Sequence, residues 1–120
     1  MTIHWYDSDR ITPVSFPLNL GSFSHGEAPN KKLWFYSEFT LSELRLKIEA
    51  VSDPSWKAFK LAKDFNSRPQ AFVDYLGELY WFIVPANQWI PIWVKFQPEK
   101  LDIQDIAYEV NLRMTAETLA

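Results

Sequence analysis

The residues best suited to acid–base chemistry in this chain are its two histidines, His4 and His25. Imidazole titrates near neutral pH without help from its surroundings. His4 lies in the segment HWYDSD, close to Asp7 and Asp9, and these three side chains are of types that bind metal ions. Neither helical nor strand spacing brings them together, so an exposed N-terminal segment without a metal is the favoured interpretation.

The segment around His25, GSFSHGE, holds a second group of catalytic residue types. Ser22 and Ser24 precede the histidine, but the segment lacks the Gly-x-Ser-x-Gly pattern of a nucleophile elbow, and adjacent Ser and His residues cannot form a triad alone. A turn is the favoured interpretation. The chain also lacks a phosphate-binding loop, a dinucleotide fingerprint and a His-Glu-x-x-His motif. We therefore predict no enzyme activity, no metal and no cofactor, and a small enzyme using His4 or His25 is the weakest hypothesis.

The composition of the 120-residue chain narrows the classes of partner. A net charge of −3 gives no basic surplus for nucleic acid or anionic lipid, so we predict no nucleic-acid partner. No apolar run approaches the roughly 20 residues of a membrane-spanning helix, and we predict no membrane span. The first ten residues carry carboxylates where a signal peptide would be basic and apolar. Without cysteine there are no disulfides, and a reducing cytosol fits best.

The elements that must position these residues are predicted to form a single domain over 1–120. Residues 1–30 form an irregular, turn-rich N-terminal region with one or two short strands, because prolines and glycines interrupt its apolar pieces. Strands are predicted at 31–40 and at 44–51, the second with clean alternation of apolar and charged residues. Further strands are predicted within AFVDYLGELYWFIV, QWIPIWVKF and AYEVNLRMT.

One helix is predicted, at about residues 54–66. Asp53 can cap it, Pro54 suits the first helical position, and Pro69 is expected to stop it. The apolar residues with the i, i+3, i+4, i+7 spacing of one helix face are Ala58, Leu61, Ala62 and Phe65. The predicted fold class is therefore α+β, a mainly antiparallel β-sheet, as a sandwich or half-barrel, with one helix.

The stretch GELYWFIVPANQWIPIWVKFQ, residues 77–97, holds three of the six tryptophans. If residues 85–88 form a loop, the flanking strands pair as a hairpin, with Tyr80 opposite Trp93 and Phe82 opposite Pro91. One face of this hairpin is as apolar as a core: Leu79, Trp81, Ile83, Ile90, Ile92, Val94 and Phe96. The other face carries Val84 and the candidate interface or ligand residues, which are Tyr80, Phe82, Trp89, Pro91, Trp93 and Lys95.

This second face of the predicted hairpin needs cover. A buried Trp or Phe removes about 150–250 Å² from water, so several of them left in water would expose a larger apolar patch than monomers usually show. Three covers are open: the predicted helix, a protein partner, or a stacked ligand. Pro91 lacks an N–H and is expected at a sheet edge or a bulge, where a tryptophan-rich strand would suit assembly.

The segments AFVDYLGELYWFIV, QWIPIWVKF and AYEVNLRMTAE, preceded by an early β region and a helix, suggest a family by their order. In this layout the chain, over roughly residues 44–117, resembles small structural proteins of long-tailed bacteriophage tails, the minor tail and distal tail ring proteins. The resemblance implies a β-rich protein that forms a homo-oligomeric ring and contacts other tail or virion proteins without catalysis. It also implies synthesis in the host cytoplasm and a location in the virion tail. Residues 1–30 have no recognised counterpart in that family.

Two hypotheses of different classes lead. The first is a non-enzymatic structural protein of a phage tail, with a ring or hub interface to neighbouring tail proteins. The second is a small β-rich binding module, in which Tyr80, Trp89 and Trp93 form an aromatic platform for a carbohydrate-like ligand. They differ in what covers Trp89 and Trp93.

Overall fold

The fold is known from a computed structural model that describes residues 3–15, 18–22, 30–49, 59–96, 107–110 and 112–119. Within these residues the chain forms ten β-strands and no helix. The strands are β1 (Ile3–Tyr6), β2 (Leu18–Ser22), β3 (Asn30–Ser37), β4 (Thr40–Ile48), β5 (Phe59–Phe65), β6 (Arg68–Pro69), β7 (Leu79–Val84), β8 (Ile90–Phe96), β9 (Ala107–Val110) and β10 (Leu112–Leu119). No helix able to cross a membrane occurs in this described part of the chain.

The strands form two main sheets and a two-stranded ribbon. The first sheet has five strands in the order β1-β3-β8-β5-β6, the second has the order β10-β4-β7, and β2 pairs with β9 in the ribbon. All of these pairings are antiparallel. The segment AYEVNLRMT, predicted as one last strand, therefore contributes to two strands, β9 and β10, which belong to different sheets.

The predicted helix at about 54–66 is wrong over the residues that the structure describes. Phe59–Phe65 is strand β5, which pairs with β8 from Phe59↔Phe96 to Lys63↔Ile92; residues 54–58 lie outside the described residues. The fold class is therefore all-β rather than α+β. The helical spacing predicted the wrong element because Phe59 and Leu61, both fully buried, also fit the period of two that a strand requires.

A two-residue turn ends β5 at the point where the predicted helix was expected to end. Asn66 has a φ of 52° and Ser67 a φ of 64°, and the flanking Phe65 and Arg68 are paired. Positive φ at both central positions is typical of a type I′ turn, which favours Asn at the first of them. The Asn-Ser dipeptide was thus the sequence signal for a hairpin at this point.

The predicted hairpin between residues 79–84 and 90–96 is also wrong. β7 pairs with β4, for example at Leu41↔Val84, whereas β8 pairs with β3 and β5. The loop at 85–88 therefore carries the chain from one sheet to the other. The backbone N–H of Asn87 donates to the carbonyl oxygen of Ser37 at 2.6 Å, which ties this loop to the end of β3.

The hydrophobic core lies between the two main sheets. The first sheet contributes Leu33, Phe35, Phe59, Leu61, Ile92 and Val94, and the second contributes Leu41, Leu44, Leu46, Ile48, Leu79 and Val84. Across the interface the rings of Phe35 and Trp81 meet edge to face, with centroids 5.6 Å apart. On the predicted core face of the tryptophan-rich stretch, Leu79, Ile92 and Val94 are confirmed as buried. Trp81 and Ile90 are half-buried at the margin of the core, and Phe96 is described only by its backbone.

The predicted alternation over 44–48 is confirmed, because its apolar residues are buried and its charged residues exposed. The alternation ends at Glu43, which has a φ of 51°. The register with β10 shifts there, between Thr115 and Glu117, so β4 contains a bulge. At the same level of β7 the buried side also changes: Val84 is a core residue, whereas Ile83 is 45 % exposed. The predictions for these two residues are therefore wrong.

Candidate functional site

The candidate residues of the tryptophan-rich stretch separate into two groups on different sheets. Pro91, Trp93 and Lys95 lie on β8 of the five-stranded sheet, and Trp89 directly precedes that strand. They alternate with the buried Ile92 and Val94, so they lie on the face turned away from the core. Tyr80 and Phe82 lie on β7 of the other sheet. The stretch therefore contributes to two separate surfaces.

The first surface is an outer aromatic face on the five-stranded sheet, built from His4, Tyr6, Trp34, Tyr36, Trp89 and Trp93. Strand pairing aligns His4 with Tyr36 and Tyr6 with Trp34. The ring of Tyr36 stacks on His4 and tilts against Trp89, with both centroids 4.8 Å away. Tyr6 meets the edge of Trp89 at 5.1 Å. Desolvation raises the pKa of the Tyr36 hydroxyl, and its hydrogen bond with Tyr6 adds to the effect.

The other half of the outer aromatic face is organised around Lys32. Its Nζ lies 4.7 Å from the ring centroid of Trp34 and 5.7 Å from that of Trp93, and 3.8 Å from a carboxylate oxygen of Asp64. The indole N–H of Trp93 donates to Asp64 at 2.9 Å. The guanidinium of Arg10 lies over Trp34 at 4.9 Å. Cations therefore already occupy positions that a stacked ligand would use.

These contacts answer what covers Trp89 and Trp93. Trp89 is half-buried against Tyr6 and Tyr36, and Trp93 is half-buried beside Lys32. The rings cover one another laterally, and no helix of the described residues takes part. The grouping of Tyr80 with these tryptophans in one platform is not possible, since Tyr80 lies on the other sheet.

Pro91 and Lys95 have structural roles on the same face. The expectation that Pro91 lies on an edge strand or at a bulge is wrong, because β8 is a central strand and its register with β3 is regular at Pro91. The ladder from β8 to β5 nevertheless ends at Lys63↔Ile92, so Pro91 lies one residue beyond the last pair on that side. A residue without an N–H is tolerated there because no ladder hydrogen bond is lost on that side. The ammonium of Lys95 lies 5.1 Å from the ring centroid of Phe72.

The second surface, which we call the β7 patch, consists of Tyr80, Phe82 and Ile83. Their exposed fractions are 39 %, 67 % and 45 %. Among the strands of the described residues β7 pairs only with β4, so it is an edge of its sheet. The sequence pointed to Tyr80 and Phe82 but missed Ile83, because strict alternation places Ile83 in the core and nothing in the sequence marks the bulge at Glu43.

A pair of opposite charges borders the β7 patch. Arg45 Nη1 lies 2.6 Å from Glu78 Oε1, and the two side chains are 46 % and 39 % exposed. The guanidinium also lies 4.9 Å from the ring centroid of Tyr80. The hydrogen bond to Glu78 raises the pKa of Arg45 above its ordinary value. The patch thus has an apolar centre with one cation and one anion at its margin.

Lys63 of β5 protects the backbone edge of β7. Its Nζ donates a hydrogen bond to the carbonyl oxygen of Tyr80 and lies 4.7 Å from the ring centroid of Trp81. Burial lowers the pKa of Lys63. A lysine at an open strand edge hinders pairing with a further strand, so contacts made by the β7 patch should use side chains.

The acidic residues near His4 have partners of their own. His4 Nε2 lies 3.2 Å from Glu38, whereas Asp7 pairs with Lys31 at 2.9 Å. Asp9 accepts hydrogen bonds from the loop that comes after it. In the part of the chain that the structure describes, no three His, Asp or Glu side chains are placed to hold a metal ion.

The second group of catalytic residue types is not placed. His25 and Ser24 lie outside the described residues, and Ser22 is described only as the end of β2. A groove of about 600 Å³ runs beside the β5–β6 turn and is lined by Phe65, Asn66, Arg68, Pro69 and Gln70. A single hairpin forms it, and its lining contains no carboxylate or histidine that could act as a general base.

Comparison with known proteins gives no relative: no family model, no curated protein and no solved structure matches this chain. The resemblance of residues 44–117 to phage tail proteins therefore stays a prediction.

Proposed function

We propose that this chain is a non-enzymatic assembly protein and that the β7 patch is its contact surface for another subunit. The observation that carries the proposal is the exposure of Phe82, 67 %, beside Ile83 on an edge strand. With Tyr80 these side chains present roughly 300 Å² of apolar surface. Patches of this size are among the largest on ordinary monomers and are often functional.

The hydrophobic free energy gained by covering the β7 patch is not enough by itself for a stable contact. Covering roughly 300 Å² yields about 7 kcal/mol of hydrophobic free energy. Association itself costs about 4–15 kcal/mol in lost freedom. The two terms are similar, so neighbouring polar groups must add to a stable contact. Arg45 and Glu78, which border the patch, are placed to do so.

The proposal is tested by the mass of the chain in solution. We expect light scattering to give a mass above the 14.1 kDa of one chain, and Phe82→Asp to return it to that value. Phe65→Asp is the matched control, because Phe65 is 62 % exposed on a different strand, and it should leave the mass unchanged. A wild-type chain that stays at single-chain mass at every concentration would contradict self-assembly.

The narrower form of the proposal is a structural component of a phage tail, located in the virion, with a ring or hub interface to neighbouring tail proteins. It rests on the segments within residues 44–117 that resemble such proteins. Two features of that resemblance, the helix and the hairpin, are missing from the described residues. Gene neighbourhood tests this form: flanking genes for other tail proteins are expected, and a gene among metabolic enzymes would contradict it.

The second candidate function is a binding module for a carbohydrate-like ligand. It is favoured by the presence of Trp34, Trp89 and Trp93 on one sheet face. A glycan screen that monitors tryptophan fluorescence tests it, and saturable quenching that is unaffected by Trp89→Ala and Trp93→Ala would exclude these rings. The assembly proposal is preferred because the rings of the outer aromatic face are engaged with one another or with cations, whereas Phe82 is open.

A further inference from the structure

We infer that the β7 patch joins two copies of this chain across a two-fold axis, so that its occupant is the same patch of a second copy. This inference rests on the proposed function and makes it more specific, because it names the partner and the symmetry. It predicts a dimer as the basic unit, whether or not such dimers join into larger assemblies.

The distribution of exposed apolar side chains favours a two-fold contact. A head-to-tail contact needs two different complementary surfaces, whereas a two-fold contact needs only one that is complementary to itself. Outside the patch, the exposed large apolar residues of the described ranges are Ile11, Phe39, Phe65 and Leu76. Ile11, Phe65 and Leu76 lie singly in three separate segments. The β7 patch is therefore the one apolar cluster of this kind in the described residues.

Phe39 is a further exposed apolar residue close to one end of the patch. It lies in the connection before β4, at the end where Leu41 pairs with Val84 of β7, and it is 52 % exposed. Together with the patch it brings the apolar surface to roughly 400 Å². A standard interface buries about 800 Å² on each partner, a little over half of it apolar. The available apolar area therefore matches one side of a dimer interface.

The charges at the margin are complementary under the same symmetry. Arg45 and Glu78 bond to each other next to Tyr80. We place the two-fold axis parallel to β7 and beside this pair, an orientation that brings Arg45 of each copy towards Glu78 of the other copy. Each cation then faces an anion twice, once within its own chain and once across the contact. A contact between like margins is thus attractive rather than repulsive.

The backbone of β7 does not take part in this contact. Because Lys63 donates to the carbonyl oxygen of Tyr80, antiparallel addition of a second β7 would have to displace a hydrogen bond. The two copies therefore meet through side chains, and the dimer should form without any gain in strand content. Far-UV circular dichroism that does not change with protein concentration is the expected observation.

Charge reversal tests the contact across the axis. Arg45→Glu alone and Glu78→Arg alone each place like charges opposite one another, so we expect each to raise the dimer dissociation constant tenfold or more. An equimolar mixture of the two variants should restore dimerisation, because every contact across the axis is then between opposite charges. Thermal unfolding of each variant below its association range shows whether it is folded. Failure of the mixture to restore the dimer would contradict the inference.

Single cysteines provide a second test, since the chain contains none of its own. Residues near a two-fold axis meet their own copies, and a disulfide closes when the two Cα atoms come within about 7 Å. Tyr80→Cys, Phe82→Cys and Ile83→Cys are oxidised separately at a concentration where the chain associates. At least one should give a covalent dimer, whereas Phe65→Cys should not.

The outcomes separate this inference from the proposed function. A dimer with a self-disulfide in the β7 patch supports both. A second outcome is a larger assembly that Phe82→Asp disrupts, but in which no cysteine of the patch forms a disulfide with the same residue of another copy. That outcome supports the assembly function and overturns the two-fold contact. A wild-type chain that remains at single-chain mass overturns both.

Discussion

Asp64 holds together one half of the outer aromatic face. Its side chain is only 13 % exposed, accepts the indole N–H of Trp93 at 2.9 Å and lies near the ammonium of Lys32. Asp64→Ala removes the acceptor of the Trp93 indole N–H and the counter-charge of Lys32 from a mostly buried site. We therefore expect the free energy of unfolding to fall by about 1–3 kcal/mol. Asp64→Asn keeps an acceptor for Trp93 and should cost less.

Urea unfolding monitored by tryptophan fluorescence measures both variants. A loss below about 0.5 kcal/mol for Asp64→Ala would be the size of an ordinary surface change. It would show that water replaces the Asp64 carboxylate as the partner of Trp93 and Lys32 at little cost.

The loop after β1 contains two carboxylates that should make its order sensitive to acid. Backbone N–H groups of Thr12 and Ile11 hold the pKa of Asp9 below its ordinary value, and a hydrogen bond from Lys31 does the same for Asp7. A pKa that is lower in the folded chain gives stability that is present above about pH 4 and is lost as the pH falls through the folded value.

Amide NMR during an acid titration measures this loss. We expect the signals of Ile11 and Thr12 to titrate below the ordinary range of an aspartate. Asp9→Asn should remove that step, and Lys31→Met should move the pKa of Asp7 upward while the Asp9 step stays in place. Signals that titrate at the ordinary pKa would contradict the hydrogen bonds assigned to Asp9.

At the scale of residues, the sequence could indicate which side chains needed cover but not what covers them. Tyr80 and Phe82 lie on the side of β7 away from the core, as the alternation predicted, but they are exposed, whereas that face was expected to be covered. Trp89 and Trp93 were placed on the same face, but their cover comes from β1 and β3, which are distant in the sequence. Ile83 was missed because its exposure depends on a bulge in another strand.

At the scale of elements, β5 illustrates a conflict between two periods. The helical spacing includes Leu61, Ala62 and Phe65, and the strand spacing includes Phe59, Leu61 and Phe65, so the sequence pattern alone could not decide between them. Pairing with β8 favours the strand, because it provides hydrogen-bond partners for the backbone of β5 and buries Phe59 and Leu61. Strand β4 could be predicted because its alternation over 44–48 excludes a helix.

The turn after β5 offers a direct check of the strand assignment. Ser67 has a φ of 64°, a conformation that costs a residue with a Cβ about 1–2 kcal/mol and glycine almost nothing. After the extra entropy of glycine in the unfolded chain, we expect Ser67→Gly to raise the free energy of unfolding by roughly 0.5 kcal/mol. Ser67→Val should lower it, because a β-branched residue fits a positive φ poorly.

Paired urea transitions of these two variants are the measurement. Ser67→Ala serves as the control, since it retains the Cβ and should stay near the wild type. If Ser67→Gly were instead less stable than Ser67→Val, the turn assigned to Asn66 and Ser67 would be wrong.

At the scale of the whole molecule, the chain path between sheets was the least predictable feature. Consecutive strands pair with each other in about two thirds of cases, which favoured a hairpin across residues 85–88. The loop instead docks on the end of β3 through Asn87 and Ser37, and β7 and β8 take partners far away in the sequence. Those partners are chosen by burial between two sheets, a property of the complete fold that no local window contains.

Two phenylalanines on different sheets test this assignment of core and contact surface. Phe35 is fully buried and packs against Trp5 at 5.1 Å and Trp81 at 5.6 Å. Phe35→Ala should therefore lower the free energy of unfolding by about 3–5 kcal/mol. Phe82→Ala removes the same atoms from a side chain that is 67 % exposed, so in the monomer it should cost under about 1 kcal/mol.

The comparison has to be made below the concentration at which copies associate, because association stabilises the folded chain by mass action. Above that concentration Phe82→Ala should lose stability relative to the wild type, and the loss should grow with protein concentration, whereas the effect of Phe35→Ala should not depend on it. Equal losses for both variants in dilute solution would place Phe82 in the core. A Phe82→Ala loss that is independent of concentration would remove the reason for regarding the β7 patch as a contact surface.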